Sequence, residues 1–276
     1  MKAWVILLLL ALAGCRTVPT QDERRLHADT LAARHGYQAI SIPAKPFTLM
    51  SYVPIENRFN ETLSIYIEGD GFSWRTRSQP SDDPTPLDPL ALRLALEHPG
   101  GNAAYLARPC QFVDAQQADC AEHYWTNKRF APEVIEATNQ AIDALKTRFK
   151  AQRLVLVGYS GGAAVAALVA AQRSDVTMLV TVAGNLDHRA WTTHHHLQPL
   201  SGSLNPADAI GSLRKIKQWH YVGGRDQVVP PELGQAFAAR FASKDRVAIS
   251  VEPDFDHRCC WAESWPKLWQ RIMNNP

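Results

Sequence analysis

A glycine-bracketed serine constrains this chain more than any other feature of its sequence. Gly158, Ser160 and Gly162 fit a G-x-S-x-G pattern, in which a serine lies at a sharp turn between a strand and a helix with its hydroxyl exposed. Such a turn crowds its neighbours, so the residues two before and two after the serine must lack side chains. The pattern predicts a nucleophilic Ser160 at an elbow formed with Gly158 and Gly162.

The residues on either side of this turn favour the same interpretation. Residues 154–157 form an apolar run typical of a strand buried on both faces of a parallel sheet. Residues 163–171 are all Ala, Val or Leu, which suits a helix packed on that sheet. The alternative is an ordinary strand–helix turn with an inert serine, because a bare G-x-S-x-G also arises by chance.

Length and charge limit the classes of protein to consider. The chain has 276 residues, of which 46% are hydrophobic, enough to bury one sizeable core. Its formal net charge is only +2 and no basic block occurs. Nucleic acid is therefore not expected as a partner.

The first residues indicate export. Lys2 precedes the apolar residues 3–13, a stretch too short to span a bilayer. Leu12, Ala13, Gly14 and Cys15 resemble the lipobox of bacterial lipoproteins. The resemblance implies that residues 1–14 are a signal peptide, that Cys15 is acylated, and that the protein is held at the membrane by lipid. The alternative is an ordinary signal peptide with a chance cysteine.

The next residues bear on where the protein is held. Residue 16 is Arg and not Asp, which by the sorting pattern of Gram-negative lipoproteins favours the periplasmic face of the outer membrane. Residues 15–35 are predicted to form a polar tether, with helix near its end.

Alternating elements predict the fold of residues 36–276. Eight strands are expected, at residues 37–42, 47–53, 63–68, 103–107, 154–157, 176–182, 218–222 and 247–251. The first two are expected to be joined by a turn. From the third strand onward they alternate with helices, which predicts a mostly parallel α/β sheet with helices on both faces. Residues 185–213 form an insertion between strands six and seven, expected as a short cap above the carboxyl ends of the strands.

A serine hydroxyl needs a base, normally a histidine held in its tautomer by a carboxylate. Asp226 follows the seventh strand and His257 follows the eighth, so both are expected at the sheet edge that carries Ser160. Asp187, after the sixth strand, is an alternative acid. Asp254 and Asp256 are interpreted as solvated turn residues.

These residues resemble the α/β-hydrolase superfamily in chain order and placement over residues 37–273. The resemblance implies that Ser160 is the nucleophile, Asp226 the orienting acid and His257 the general base. It also implies an oxyanion hole formed by the backbone N–H groups of Gly161 and Asp70. Many members carry His-Gly before the oxyanion residue where this chain has Glu68 and Gly69, but a backbone donor does not depend on that first side chain.

The resemblance implies a carboxylesterase-like serine hydrolase that cleaves an ester or related acyl bond of a small-molecule or acyl substrate, with no cofactor. Peptidases, thioesterases and acyltransferases use the same residues, and a non-catalytic lipid-anchored binding protein of the same fold is the competing class.

The cysteines and a histidine run complete the predictions. Export to an oxidising compartment favours a disulfide between Cys110 and Cys120, while adjacent Cys259 and Cys260 remain either free or linked. The histidines at 194–196 are interpreted as an exposed polar loop, and no metal site is predicted.

Overall fold

The computed structural model describes residues 18–57, 60–114, 120–242 and 246–275. Within these ranges lie the strands β1 (Tyr37–Ala44), β2 (Phe47–Pro54), β3 (Thr62–Ile67), β4 (Asn102–Leu106), β5 (Arg153–Tyr159), β6 (Val176–Val182), β7 (Lys217–Gly223) and β8 (Val247–Glu252). They form one eight-stranded sheet in the order β1-β2-β4-β3-β5-β6-β7-β8. Only the β1–β2 and β2–β4 pairs are antiparallel. The predicted mostly parallel sheet is confirmed.

Helices cover both faces of this sheet, as predicted. They are α1 (Gln21–Arg34), α2 (Leu90–Leu96), α3 (Pro132–Phe149), α4 (Gly161–Ala170), α5 (His188–His194), α6 (Ile210–Leu213), α7 (Pro231–Ala238) and α8 (Trp261–Met273), with single 3₁₀ turns at Glu122–Tyr124 and Pro206–Asp208. The segment predicted as a cap contains α5, α6 and the second 3₁₀ turn.

Strand β5 shows how the two apolar layers arise from sequence. Side chains alternate across a strand, so Leu154 and Leu156 join the core cluster that includes α3 and α4, while Val155 and Val157 join the cluster that includes α2 and α8. Because β3 and β5 to β8 run parallel, their carboxyl ends lie at one edge, which we call the carboxyl edge.

Helix α1 packs on the domain, which differs from the polar tether predicted for residues 15–35. Its first turn is closed by a capping box between Thr20 and Glu23. Ala28 and Ala32 are buried, and the Tyr52 hydroxyl donates to Asp29 at 2.7 Å. Small alanines bury this helix without the wide apolar stripe by which a packed helix is usually recognised.

The predicted signal peptide, residues 1–14, and the predicted acylation site Cys15 lie outside the described residues. Within the residues that are described, no helix is both long enough and apolar enough to cross a membrane.

Both pairs of cysteines considered from the sequence are joined in the structure. Cys110 and Cys120 form a disulfide beyond β4, with Cα atoms 5.6 Å apart. Cys259 and Cys260 are also linked to each other, immediately before α8.

Candidate active site

Ser160 lies in the turn between β5 and α4, in a strained backbone conformation. Its φ is 51° and its ψ is −121°, which a residue with a side chain rarely adopts. A Cβ at position 158 would meet Ala163 Cα at 2.4 Å, and one at position 162 would meet the Glu68 carbonyl oxygen at 2.3 Å. Strand β5 and helix α4 therefore approach closely enough to expose the serine hydroxyl only because residues 158 and 162 are both glycine.

Three strand ends bring Ser160, His257 and Asp226 together at the carboxyl edge. The Ser160 hydroxyl lies 2.9 Å from His257 Nε2, and His257 Nδ1 lies 2.8 Å from Asp226 Oδ2. The Asp226 side chain is fully enclosed, and that of His257 is 12% exposed. This arrangement allows the imidazole to accept the serine proton at one nitrogen while the other donates to the carboxylate.

Backbone groups hold the acid and the imidazole in place. The N–H groups of Val228 and Val229 donate to Asp226 Oδ1, each at 2.8 Å. The Tyr159 hydroxyl donates to the His257 carbonyl oxygen at 3.1 Å, and their rings lie 5.3 Å apart. Tyr159, next to the serine in sequence, therefore ties the elbow to the loop that carries His257.

The other acids considered from the sequence are engaged elsewhere. Asp187 caps α5 by accepting from two backbone N–H groups, and it also pairs with Arg240 at 3.3 Å. Asp254 pairs with Arg225 at 2.5 Å. Asp256 accepts from the N–H groups of Arg258 and Cys259. Among the acids weighed, only Asp226 meets the His257 imidazole.

The turn after β3 packs directly on the serine. A Cβ at Gly69 would lie 3.2 Å from the Ser160 Cβ. Gly161 opens α4, so its N–H has no partner within the helix. Asp70 and Gly161, predicted from the sequence to provide the oxyanion hole, are close neighbours, since a Cβ at Gly161 would lie 2.0 Å from Asp70 Oδ1.

A family model described as "Serine hydrolase (FSH1)" matches residues 99–253, more than half of the chain. The chain belongs to this serine hydrolase family. A search of the curated proteins finds no match.

Solved structures of similar fold place this serine hydrolase in the α/β-hydrolase architecture. The esterase Pf2001 of Pyrococcus furiosus superposes with a TM-score of 0.59 at 17% identity, covering 87% of this chain and 91% of that one. Est1E of Butyrivibrio proteoclasticus gives 0.61 at 13% identity, covering 86% and 98%. An α/β serine hydrolase homologue from Coxiella burnetii gives 0.58 at 15% identity, covering 86% and 96%.

Two arginines that sequence reasoning missed lie beside this site in the serine hydrolase. Arg108 follows β4, and Arg129 precedes α3. Arg129 donates to Asp70 Oδ2 at 2.6 Å and Arg108 to Asp70 Oδ1 at 3.3 Å. Burial alone would raise the pKa of Asp70, but the charges of the two arginines hold that pKa below its usual value. The one signal in the sequence is that Arg108 comes directly after a strand ending at this edge.

Glu68 is a second group whose importance only the structure reveals. It is buried at the end of β3 and accepts the Gly69 N–H at 2.9 Å. Burial raises its pKa to about 7 against the lowering effect of nearby N–H groups. The neighbouring Tyr105 hydroxyl, also buried, interacts with this carboxylate and favours its charged form.

The histidines outside the site do not gather around a common point. His195 Nε2 lies 2.9 Å from the Val228 carbonyl oxygen, while His194 and His196 are exposed. His220 is buried against Thr181, and burial lowers its pKa to about 4. No group of three or more potential metal ligands lies within the described ranges.

The insertion predicted as a cap meets the loop that carries Asp226. Trp191 Nε1 donates to the Val228 carbonyl oxygen at 2.7 Å. Leu200 is buried in the core, whereas Leu197 and Leu204 remain exposed. Leu200 therefore packs inward. Trp191 stays beside the residues next to Asp226.

Proposed function

We propose that this serine hydrolase is a carboxylesterase-like enzyme that cleaves a carboxylic ester or related acyl bond through an acyl-enzyme intermediate. The observation that carries the proposal is the continuous hydrogen-bonded path from Ser160 through His257 to Asp226, with both links under 3 Å. The esterase names of Pf2001 and Est1E, whose folds are similar, support an ester as the substrate.

The first half of the reaction follows from this path. His257 Nε2 takes the Ser160 proton as Oγ attacks the acyl carbonyl carbon, while the Nδ1–H bond to Asp226 holds the tautomer and stabilises the imidazolium. The tetrahedral oxyanion accepts hydrogen bonds from the N–H groups of Gly161 and Asp70. Collapse breaks the ester C–O bond, and the leaving alkoxide takes the proton from Nε2.

The second half repeats these roles with water. His257 removes a proton from a water molecule, whose oxygen attacks the acyl carbon of the Ser160 ester. The second tetrahedral intermediate releases the carboxylic acid, and Ser160 regains its proton from Nε2. Apart from the substrate and this water molecule, every step uses groups that the chain itself provides.

The test is hydrolysis of p-nitrophenyl esters by the purified protein. We expect measurable turnover in the parent, loss of at least about 1,000-fold in kcat for Ser160→Ala, and no change for Ser212→Ala, an exposed serine on α6. Comparing acetyl to dodecanoyl esters would define the acyl-chain preference. A parent without activity on any ester, or an active Ser160→Ala variant, would refute the proposal.

We also propose that Cys15 carries a lipid and holds the enzyme at the periplasmic face of the outer membrane. The support is the lipobox-like run at residues 12–15. Gln21 donates to the Val113 carbonyl oxygen at 2.6 Å, and Arg24 pairs with Asp83 at 2.8 Å, so the first turn of α1 lies at the carboxyl edge. An anchor six residues before Gln21 would therefore bring the active site close to the membrane surface.

The anchor is tested by fractionation and mass. The parent is expected in the membrane fraction with a mass consistent with acylation at Cys15. Cys15→Ser should remain unprocessed and unacylated. Normal maturation of that variant would contradict the proposed anchor and would leave the proposed esterase activity unaffected.

A further inference from the structure

The turn after β3 places a carboxylate beside the proposed oxyanion hole. The side chain of Asp70 occupies the space where a Cβ at position 161 would lie, since such an atom would meet Asp70 Oδ1 at 2.0 Å and Oδ2 at 2.8 Å. Position 161 must therefore lack a side chain because of Asp70, whereas positions 158 and 162 must lack one because of backbone atoms of α4 and of the end of β3. A negative charge here is unfavourable for a reaction that develops another negative charge on the substrate oxygen held by the neighbouring N–H groups.

Two buried cations surround that carboxylate. Arg129 and Arg108 donate to its two oxygens, and their side chains are only 6% and 5% exposed. One carboxylate between two guanidinium groups leaves the three side chains with a net charge of +1. In an enclosed site this charge acts over several ångströms with little screening.

Further hydrogen bonds fix both arginines relative to the turn. Arg129 Nε donates to the Thr126 carbonyl oxygen at 2.6 Å, and Arg108 donates to the Arg129 carbonyl oxygen. Gln111 accepts the Arg108 N–H at 3.0 Å and donates to the Gly69 carbonyl oxygen at 2.9 Å. The arginines and Gln111 thus hold the turn by its backbone and by the Asp70 side chain.

We propose that Arg108 and Arg129 are positioning residues of the oxyanion turn, which neutralise and orient the Asp70 carboxylate so that the turn is electropositive when the tetrahedral intermediate forms. This proposal rests on the proposed esterase function. If the proposal is correct, kcat depends on the net charge of Asp70, Arg108 and Arg129 together, and not on each arginine separately.

A charge-reversal series tests this balance. In Arg129→Met, Asp70 loses its nearer cation, and we expect kcat for a p-nitrophenyl ester to fall by about 10–100-fold with KM changed less than about threefold. Adding Asp70→Asn to Arg129→Met removes the negative charge that has lost its partner, and should restore most of the lost kcat. Arg129→Lys retains the charge and should lie between the parent and Arg129→Met.

If the arginines only stabilised the fold, the double variant would be no faster than Arg129→Met. Asp70→Asn would then remove a further ion pair and could not replace the one already lost. Arg173→Met is the matched control, since Arg173 is also largely enclosed and pairs with Asp175 away from the serine. It should leave kcat unchanged. Thermal unfolding of each variant, with the rate of fluorophosphonate labelling, separates loss of folding from loss of reactivity.

Two results would overturn the proposal. One is a folded double variant that is no faster than Arg129→Met. The other applies if Arg129→Met does not fold, when the same comparison is made with Arg108→Met, since Arg108 pairs with the other Asp70 oxygen. Adding Asp70→Asn to Arg108→Met should raise the labelling rate, and a folded double variant no faster than Arg108→Met would overturn the proposal. A parent inactive on every ester would refute the proposed function together with this inference, whereas an active parent with the wrong pattern refutes only this inference.

Discussion

Asp226 is the most enclosed member of the path that links it to Ser160. Its side chain is fully buried, one oxygen accepts two backbone N–H groups, and the other meets the His257 imidazole. The carboxylate therefore has one fixed orientation and one partner that can change protonation. In the proposed reaction it keeps a proton on Nδ1, which leaves Nε2 free to accept the serine proton.

Asp226→Asn is expected to lower kcat by roughly 10³–10⁴-fold with little change in KM, because an amide stabilises the wrong imidazole tautomer and does not stabilise the imidazolium. Steady-state kinetics with a p-nitrophenyl ester measure the effect. Asp187→Asn is the control, since Asp187 caps α5 and does not touch His257. Comparable losses in both variants would contradict the assignment of the acid.

Glu68→Gln is expected to stabilise the protein above neutral pH. Burial raises the Glu68 pKa to about 7, so the folded state binds this proton more tightly than the unfolded state. Stability then falls as pH rises from about 4.5 to about 7, by up to about 3 kcal/mol. The glutamine carries no charge that burial could penalise, and its amide oxygen can still accept from the Tyr105 hydroxyl.

Urea unfolding at pH 5 and pH 8 measures this difference. The advantage of Glu68→Gln over the parent should be small at pH 5 and on the order of 1–3 kcal/mol at pH 8. Glu136→Gln, at an exposed position of α3, should show no such trend. An advantage that is equal at both pH values would show that Glu68 does not titrate as described.

Among the elements, the β5–α4 elbow depends most on the absence of two side chains. Gly162→Ala would place a Cβ 2.3 Å from the carbonyl oxygens of Ile67 and Glu68. Backbone atoms cannot move aside cheaply, so we expect a loss of about 3 kcal/mol in the free energy of unfolding. Denaturant unfolding and fluorophosphonate labelling should both be impaired.

Gly211→Ala provides the matched control for the elbow. Gly211 lies in α6, where an added Cβ meets no atom within 4 Å. Its stability should stay within about 0.5 kcal/mol of the parent or rise slightly, because alanine is the better helix former. A Gly162→Ala variant as stable as Gly211→Ala would contradict the close approach of β3 to α4.

The elements also show what the sequence can predict. The sequence predicts that Ser160, Asp226 and His257 lie together because each follows an apolar strand, and parallel strands end at one edge of a sheet. Arg108 and Arg129 were missed because they reach Asp70 from irregular segments without periodicity. The sequence predicts only a partly helical tether where α1 packs, because the buried face of that helix is mainly alanine.

At the scale of the whole molecule, the Cys110–Cys120 disulfide closes a short loop beyond β4. Its cysteines are ten residues apart, so by loop-closure entropy replacing both with serine should lower the free energy of unfolding by about 2–3 kcal/mol. Cys259 and Cys260 are adjacent and close no comparable loop. Their double replacement should cost much less, and equal losses would contradict this account.

The whole arrangement depends on one claim, that residues from three distant parts of the chain activate Ser160. The most direct measurement is mass-spectrometric mapping of a fluorophosphonate adduct over time. We predict one adduct per chain, on the tryptic peptide of residues 154–173, whose only serine is Ser160, and a rate at least about 100-fold lower in His257→Ala. An adduct on another serine, or an unchanged rate without His257, would contradict the account.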